Sequence, residues 1–522
     1  MIKLWGNKHI AHKIQQSKES RFFLITMLSC AFVFAPSIVN AATTLDKNSQ
    51  DSLYTGSVES NSESFKTLLK EAEAGDDESQ YLVGEAYYYG SGEVQKNYKK
   101  AFEWYMKSAV QGNIDAQYTI GYFYYRGLEV SKDDKKAMEW YLKAAEQGQT
   151  SAQTSVGDFY RQGIATSQDY KKAMEWYLKA AEQENAVAQY NIGNLYFKGA
   201  GVTKDYKRAM EWYLKAAEQE DAYAQCNIGI LYENGYGVTK DYKKAMEWYL
   251  KAAEQENAVA QYNIGLAYEN GHGVARDYKK AMEWYLKAAA QEDAYAQCNI
   301  GVLYHNGFGI TRDYKKAMEW YLKAAEQENA VAQYNIGILY ENGYGVTKDY
   351  KKAMEWYLKA AAQGDAYAQC NIGILYANGY GVTKDYKKAM EWYLKAAEQE
   401  DAVAQYNIGL AYENGHGVAR NYKKAMEWYL KAAEQEDADA QCNIGALYHN
   451  GFGITRDYKK AMEWYLKAAA QENANAQYNI GFLYENGQGV AKNYNKALEW
   501  YQKAAKQGDQ DAQDRIKALQ KK

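Results

Sequence analysis

Four histidines are the residues of this sequence best suited to bind a metal or move a proton: His272, His305, His416 and His449. Imidazole is a common metal ligand and a general base. A metal site, however, needs three or four convergent ligands, and no pattern of cysteines or carboxylates completes one around these histidines. The sequence therefore predicts exposed loop histidines, no metal and no cofactor.

A Gly-x-Gly motif, Gly343-Tyr344-Gly345 in one of its copies, invites comparison with a phosphate loop. It lacks the third glycine and the Lys-Ser/Thr pair that phosphate loops use. Glu355 has Lys351 and Lys359 four residues away on either side, which is typical of solvated ion pairs rather than of a catalytic acid. No serine-protease order of residues, nucleophile elbow or zinc-protease motif is present. We therefore predict that the protein is not an enzyme.

The elements that carry these motifs form a repeat. Twelve of the 13 tryptophans recur every 36 residues without a slip, from Trp104 to Trp500. We predict a structural role for this row because every unit contains it. Its central members are Trp140, Trp176, Trp212, Trp248, Trp284, Trp320, Trp356, Trp392, Trp428 and Trp464. Twelve such units fill residues 77–508.

Each unit is predicted to be two helices. In residues 329–364, Asn329 is a candidate N-cap of the first helix, Gly343 a left-handed C-cap residue, and Asp349 an N-cap of the second helix. A helix pair of this size cannot bury its apolar stripe alone, so neighbouring units must stack. The expected fold is an all-α, α/α solenoid superhelix, with capping helices at residues 64–76 and 509–522.

The unit resembles the Sel1-like repeat, a relative of the tetratricopeptide repeat with a Gly-x-Gly loop. The resemblance rests on Ala332, Gly337, Leu339, Tyr340, Gly343, Gly345, Val346, Asp349, Ala353, Trp356, Tyr357, Lys359, Ala360 and Ala361. It implies an α/α superhelix and an exported bacterial adaptor for other proteins. One departure is that most units have Glu, as at Glu328, where the family has Gly, as at Gly364. Because a negative charge opposes the dipole at a helix C-terminus, the turn between units and the superhelical pitch are uncertain from the sequence.

Variation among the units is confined to one face of the first helix, represented by Val331, Tyr334, Ile338 and Glu341. In one type of unit the first two of these positions hold Val and Tyr, and in the alternate units they hold Tyr and Cys. The aromatic ring therefore moves by one helical turn along this face from one unit to the next. Two interpretations stay open: a tyrosine ladder that binds a partner, or packing of a large residue over a small one in the next unit. The candidate partner-binding tyrosines are Tyr190, Tyr223, Tyr262, Tyr295, Tyr334, Tyr367, Tyr406 and Tyr478.

The net charge of −4 and the pI of about 6.0 give no general attraction to nucleic acid, so no nucleic-acid partner is expected.

Residues 1–41 have a basic stretch, an apolar run and small residues before Ala42, the pattern of a signal peptide cleaved after Ala41. A lipoprotein site at Cys30 and an uncleaved anchor are the weaker alternatives. Residues 42–63 are predicted to be a flexible linker, and the mature chain is expected in the periplasm or secreted, without membrane insertion.

The four remaining cysteines, Cys226, Cys298, Cys370 and Cys442, are 72 residues apart and are predicted to stay reduced, since a disulfide needs Cα atoms about 5.5 Å apart. The leading functional prediction is an exported scaffold whose superhelical groove binds one or more proteins, in envelope function or host interaction. The alternative is a carbohydrate- or peptidoglycan-binding protein that stacks sugars on the tyrosines.

Overall fold

The computed structural model describes residues 62–90 and 94–520. The predicted signal peptide lies outside these residues, and so does the predicted linker, except for Ser62 and Glu63, which begin the first helix. The described residues form 26 helices and no strand. The fold is therefore an all-α solenoid of tandem repeats, as predicted. The helices belong to two compact units, which meet in sequence between Gln291 and Glu292.

The N-terminal unit contains thirteen helices. They are α1 Ser62–Ala74, α2 Asp77–Tyr89, α3 Tyr98–Gln111, α4 Ile114–Arg126, α5 Asp134–Glu146, α6 Thr150–Gln162, α7 Tyr170–Ala181, α8 Ala186–Lys198, α9 Tyr206–Glu218, α10 Ala222–Asn234, α11 Tyr242–Glu254, α12 Ala258–Asn270 and α13 Tyr278–Ala290. From α2 onward each even-numbered helix is the first helix of a repeat, and the following odd-numbered helix is its second.

The C-terminal unit has the same number of helices. They are α14 Ala294–Asn306, α15 Tyr314–Glu326, α16 Ala330–Asn342, α17 Tyr350–Ala362, α18 Ala366–Asn378, α19 Tyr386–Glu398, α20 Ala402–Asn414, α21 Tyr422–Glu434, α22 Ala438–Asn450, α23 Tyr458–Ala470, α24 Ala474–Asn486, α25 Tyr494–Lys506 and α26 Gln510–Leu519. Six repeats thus fall in each unit, with α1 and α26 outside them.

Local capping sets the ends of each helix, as α16 and α17 of the eighth repeat show. The Asn329 side chain accepts the Ala332 N–H at 2.9 Å, and the Asp349 carboxylate accepts the N–H groups of Lys351 and Lys352 at 2.9 and 3.1 Å. Gly343, at φ 75°, ends α16 in the left-handed conformation. All three predicted caps are confirmed, because these contacts depend only on residues within one helical turn.

A glycine in the first helix lets the two helices of a repeat approach closely. A Cβ atom built on Gly445 of α22 would lie 2.6 Å from the ring of Tyr465 on α23, and the same contact joins Gly157 of α6 to Tyr177 of α7 at 2.6 Å. These tyrosines are fully buried, with 0% exposure. The contact recurs in both units, so the repeat core is a tyrosine ring packed flat against a bare backbone.

The turn from one repeat to the next has the same form whether Glu or Gly occupies it. The N–H of Glu328 donates to Ala325 at 3.1 Å, and the N–H of Gly364 donates to Ala361 at 3.0 Å. Both residues have a positive φ, 60° for Glu328 and 89° for Gly364. The exchange of Gly for Glu therefore leaves the local turn intact and makes a non-glycine residue adopt a left-handed backbone.

All four cysteines of the repeats are buried thiols, as predicted. Burial raises the pKa of Cys226 and of Cys298 to about 12. Among the described residues, no helix is long and apolar enough to cross a membrane.

Candidate functional site

The candidate tyrosines lie at two positions of the first helix, and their exposure differs even within one position. Tyr262 and Tyr334 are core residues, 1% and 2% exposed. The other members of the set are half-buried: Tyr190, Tyr223, Tyr295, Tyr367, Tyr406 and Tyr478. Of the eight candidates, only these half-buried rings expose surface that a partner could contact, and their role in binding stays a prediction.

Packing between neighbouring first helices accounts for much of the alternating pattern. In the C-terminal unit Cys298 of α14 and Tyr334 of α16 belong to the same buried cluster, so the small and the large residue share one inter-repeat core. The ring of Tyr334 is 6.1 Å from that of Tyr367 on α18. In the N-terminal unit Tyr190 and Tyr223 have the same relation at 6.0 Å. The swap therefore lets successive repeats fit together.

Each tryptophan of the row carries a lysine on its ring, and most of them pack against a core cluster of the repeats. Trp356 and Trp392 lie half-buried against one core cluster of the C-terminal unit. The Lys359 ammonium is 3.9 Å from the Trp356 ring centroid, a cation–π geometry repeated along the row. No ion pair in the described part of the chain joins Lys351, Glu355 and Lys359, so the predicted ion pairs on this face are wrong.

The histidines divide into two classes, one of which contradicts the prediction of exposed loop residues. His305 and His449 end the first helices α14 and α22 and are only 8% and 6% exposed. Burial lowers the pKa of each to about 4. His272 and His416 do lie in loops, where each stacks on a tyrosine of the preceding repeat. No described group of three or more His, Cys, Asp or Glu side chains could hold a metal.

Buried hydroxyl–carboxylate pairs were not anticipated from the sequence. The hydroxyl of Tyr357 on α17 donates to Glu341 of α16 at 2.5 Å, and Tyr501 donates to Glu485 at 2.7 Å. Burial raises the pKa of the equivalent Glu269 carboxyl. The 16-residue spacing between the partners is visible in the sequence, but a glutamate on the variable face gave no sign of being covered. These pairs lie within the repeat core and are structural.

Ring stacking at the loop between the two helices of a repeat was also not anticipated from the sequence. We call this surface the loop edge. Tyr344, between the two loop glycines, stacks on Tyr314 of the preceding repeat at 4.7 Å and 10°. The same position stacks on the preceding repeat elsewhere, and the pairs are Tyr236 on Tyr206, His272 on Tyr242, Tyr380 on Tyr350, His416 on Tyr386 and Phe452 on Tyr422. In the second to fourth repeats the position holds Leu128, Ile164 and Ala200 instead. The sequence feature that could have predicted this stacking is the aromatic residue that recurs at one loop position.

The described surfaces offer stacked rings, exposed charges and half-buried tyrosines in regular rows, which suits binding of an extended partner through many similar contacts. The sequence comparisons agree with this architecture. The model of the Sel1 repeat matches twelve consecutive segments: 77–113, 114–149, 150–185, 186–221, 222–257, 258–293, 294–329, 330–365, 366–401, 402–437, 438–473 and 474–509. A comparison with curated proteins found no match.

Solved structures of bacterial Sel1 repeat proteins resemble this chain. One is c5321, described as a protective antigen present in uropathogenic Escherichia coli strains: it is 34% identical, with a TM-score of 0.65, over 87% of this chain and 97% of that one. Another is a Sel1 repeat protein from Oxalobacter formigenes, 32% identical with a TM-score of 0.47, over 59% of this chain and 90% of that one. The twelve matched repeats and their helix pairs show that this chain belongs to the Sel1 repeat family, a scaffold type for protein–protein interaction.

Proposed function

We propose that this protein is a non-catalytic, exported scaffold that binds one or more proteins along its repeats, in envelope function or in interaction with a host. The observation that carries the proposal is the run of twelve Sel1 repeats, with no other domain among the matched segments. Copies of one unit present the same groups many times, which favours multivalent binding over a single reaction centre.

Two observations support the exported location. Residues 1–41 have the composition of a cleavable signal peptide. The similar E. coli structure is described as a protective antigen, which describes that protein and suggests an envelope or secreted setting for this one. Fractionation of source cells, with detection of a mature chain beginning at Ala42, tests the location. A chain that retains its first residues in the cytoplasmic fraction would contradict it.

Affinity capture tests the binding role. The purified chain is immobilised and exposed to envelope and secreted fractions of its source, and retained proteins are identified by mass spectrometry after competition with soluble chain. We expect one or two proteins whose binding to the immobilised chain is saturable. Retention should fall when the half-buried rings of Tyr223, Tyr295 and Tyr367 are changed to Ser, because each removes aromatic contact area.

The matched control changes Leu322, Leu358 and Leu394 to Ser. These side chains lie on the exposed face of the second helices, 38–42% exposed. Far-ultraviolet circular dichroism should show both variants folded, and because Tyr223 and Tyr367 also pack on rings of the preceding repeat, binding is measured well below the melting temperature of each variant. Equal loss of binding in the two variants would contradict a specific tyrosine surface, and no saturable protein at all would contradict the scaffold proposal.

Carbohydrate binding is the second candidate, because the half-buried rings of Tyr223 and Tyr367 each pair with a tyrosine ring of the preceding repeat. Paired rings of this kind can stack on sugars. Purified peptidoglycan fragments and isolated glycan strands, measured by calorimetry against the same two variants, separate this function from the first. Binding of glycans alone, lost only in the tyrosine variant, would replace the protein scaffold with a sugar-binding function.

A further inference from the structure

The two edges of the repeats in the C-terminal unit carry opposite charges. On the loop edge of the eighth repeat, Lys348, Lys351 and Lys352 are all exposed and are accompanied by a single acidic residue, Asp349. The seventh to eleventh repeats each have three basic residues in these positions, one in the loop and two in the first turn of the second helix, and we include that turn in the loop edge. The turns between repeats, which we call the turn edge, instead expose glutamates. Their exposed members are Glu326, Glu328, Glu398, Glu400, Glu434, Glu436 and Glu472.

The aspartate of the loop edge does not cancel its lysines. The Asp349 carboxylate is committed to the N-terminus of α17, where it accepts two backbone N–H groups and faces the positive end of the helix dipole. No carboxylate lies within ion-pair distance of Lys348, Lys351 or Lys352 anywhere in the described residues. These three ammonium groups are therefore available to a partner.

Aromatic rings hold part of this charge in place. The Tyr350 ring has the Lys348 ammonium 4.7 Å from its centroid and stacks on the Tyr380 ring of the next repeat at 4.7 Å and 17°. The next repeat places Lys384 over Tyr386 at 4.7 Å. Tyr380 keeps 36% of its surface exposed. The loop edge is thus a regular row of cations and half-exposed rings, which lose less side-chain entropy on binding than freely rotating lysines would.

We propose that the loop edge of the C-terminal unit binds an extended, acidic segment of a partner protein. This inference rests on the proposed scaffold function and specifies its class of partner. Charge complementarity favours an acidic partner at this edge and disfavours it at the turn edge. An extended chain advances about 3.4 Å per residue. A segment that crosses the row of loops can therefore place spaced carboxylates on successive repeats.

A polypeptide fits better than a nucleic acid. Nucleic acid carries a charge every 1.7 Å or so along a duplex, and the glutamates of the turn edge and the net charge of −4 would repel such a dense polyanion. An acidic peptide with spaced carboxylates pairs with the lysines of each loop and leaves uncharged residues over the exposed rings. The net charge of the whole chain does not reveal this edge, because the turn edge carries charges of the opposite sign.

The test uses the purified full-length chain and a fluorescein-labelled peptide of about 18 residues, extended by Gly and Ser, with Glu at every third position. Fluorescence anisotropy measures its affinity at low and at physiological salt. The loop-edge variant changes Lys348, Lys351, Lys384 and Lys387 to Gln. We expect an affinity loss of about tenfold or more, from the removal of four exposed pairs, and weaker binding of the parent at higher salt.

The matched control changes Lys323, Lys359, Lys395 and Lys431 to Gln. It removes the same charge from the tryptophan row of the second helices and should lower the affinity by less than about twofold, since these lysines lie outside the loop edge. Equal losses in the two variants would overturn the proposal, because the peptide would then sense only total charge.

Two further probes decide the class of occupant: a single-stranded oligonucleotide and vesicles of anionic phospholipid. Tighter binding of either one than of the peptide, with the same dependence on the loop-edge lysines, would overturn the peptide assignment. If a protein captured from the envelope binds the parent and the loop-edge variant equally, the scaffold function stands and this inference falls. If no protein is captured at all, the scaffold function itself falls.

Discussion

The two edges of the repeats in the C-terminal unit reverse the chain with a residue of positive φ, yet they differ in the space around that residue. Gly345 on the loop edge has φ 67°, and Glu328 on the turn edge has φ 60°. A Cβ atom on Gly345 would lie 2.8–3.0 Å from Tyr314 and Lys315 of the preceding repeat. A Cβ atom on Gly364, on the turn edge, would meet nothing within 4 Å.

The difference shows that backbone conformation and available space are separate requirements. A left-handed backbone costs an L-residue about 1 kcal/mol, which the turn edge tolerates at Glu328 and its equivalents. Close approach of the neighbouring backbone adds a steric cost at Gly345 and Gly381, whereas the second and third repeats hold Glu129 and Ala165 at the equivalent position, with φ 55° and 60°. The turn edge has space for charged side chains, and the loop edge packs against the neighbouring repeat and holds the repeats together.

Alanine at the two edges should give the largest contrast. Gly381→Ala places a Cβ atom 2.7–2.9 Å from Tyr350 and Lys351, so we expect the free energy of unfolding to fall by about 3 kcal/mol. Gly364→Ala meets open space and should cost about 1 kcal/mol. Urea unfolding followed by circular dichroism measures both. Equal costs at the two positions would show that space plays no part.

The next largest effect concerns the pH dependence of the turn edge. Asp365 caps α18 through the Ala368 N–H at 2.6 Å, and burial raises the pKa of its carboxyl to about 6. The unfolded chain releases this proton near pH 3.8, so the folded state binds more protons between these values. Its contribution to stability is therefore present below about pH 4 and is lost as the pH rises through about 6.

Asp365→Asn removes this titration and keeps a capping oxygen, as Asn329 does naturally. Relative to the parent, the variant should gain about 1–2 kcal/mol of unfolding free energy between pH 4 and pH 7. The reverse exchange, Asn329→Asp, serves as the control. It should lower the free energy of unfolding as the pH rises, as Asp365 does in the parent. Urea unfolding at a series of pH values tests both. A gain for Asp365→Asn that does not change with pH would refute the burial argument.

Exchanging Glu and Gly on the turn edge should have a smaller effect. Glu328→Gly relieves the left-handed glutamate and is expected to raise the unfolding free energy by about 1 kcal/mol, whereas Gly364→Glu should lower it by a similar amount. Glu326→Gly removes the same charge from the last residue of α15, where the backbone is still helical, and should instead destabilise by up to about 1 kcal/mol. Thermal unfolding of the three variants distinguishes backbone strain from charge.

The smallest effect is expected from the stacking on the loop edge. Tyr344→Ala removes the contact with Tyr314 and should cost about 0.5–1.5 kcal/mol. Tyr344→His should retain most of it, because His416 stacks on Tyr386 at 4.2 Å. Hydrogen exchange of α15 and α16 reports the local change. If histidine is as disruptive as alanine, the stack contributes no specific stabilisation.

Much of the repeat could be predicted because its signals are local. Asn329, Gly343 and Asp349 were recognised as caps from neighbours within a few residues, and the period of 36 followed from the tryptophans. The burial of His305 could not be predicted, since its neighbour Tyr344 belongs to the next repeat. Nor could Tyr262 and Tyr334 be separated from the half-exposed tyrosines, because the same residue type occupies the same helical position.

The sequence by itself determined the helices, their ends, the number of repeats and the family, because each depends on contacts within a turn of helix or on direct repetition. Only the tertiary structure decided which rings are covered, which glycines are crowded, and that lysines and glutamates collect on opposite edges. Those properties arise between residues about 30 or more positions apart, as between Tyr314 and Tyr344. Stacking brings such residues together, and no local pattern in the chain specifies the distance between them.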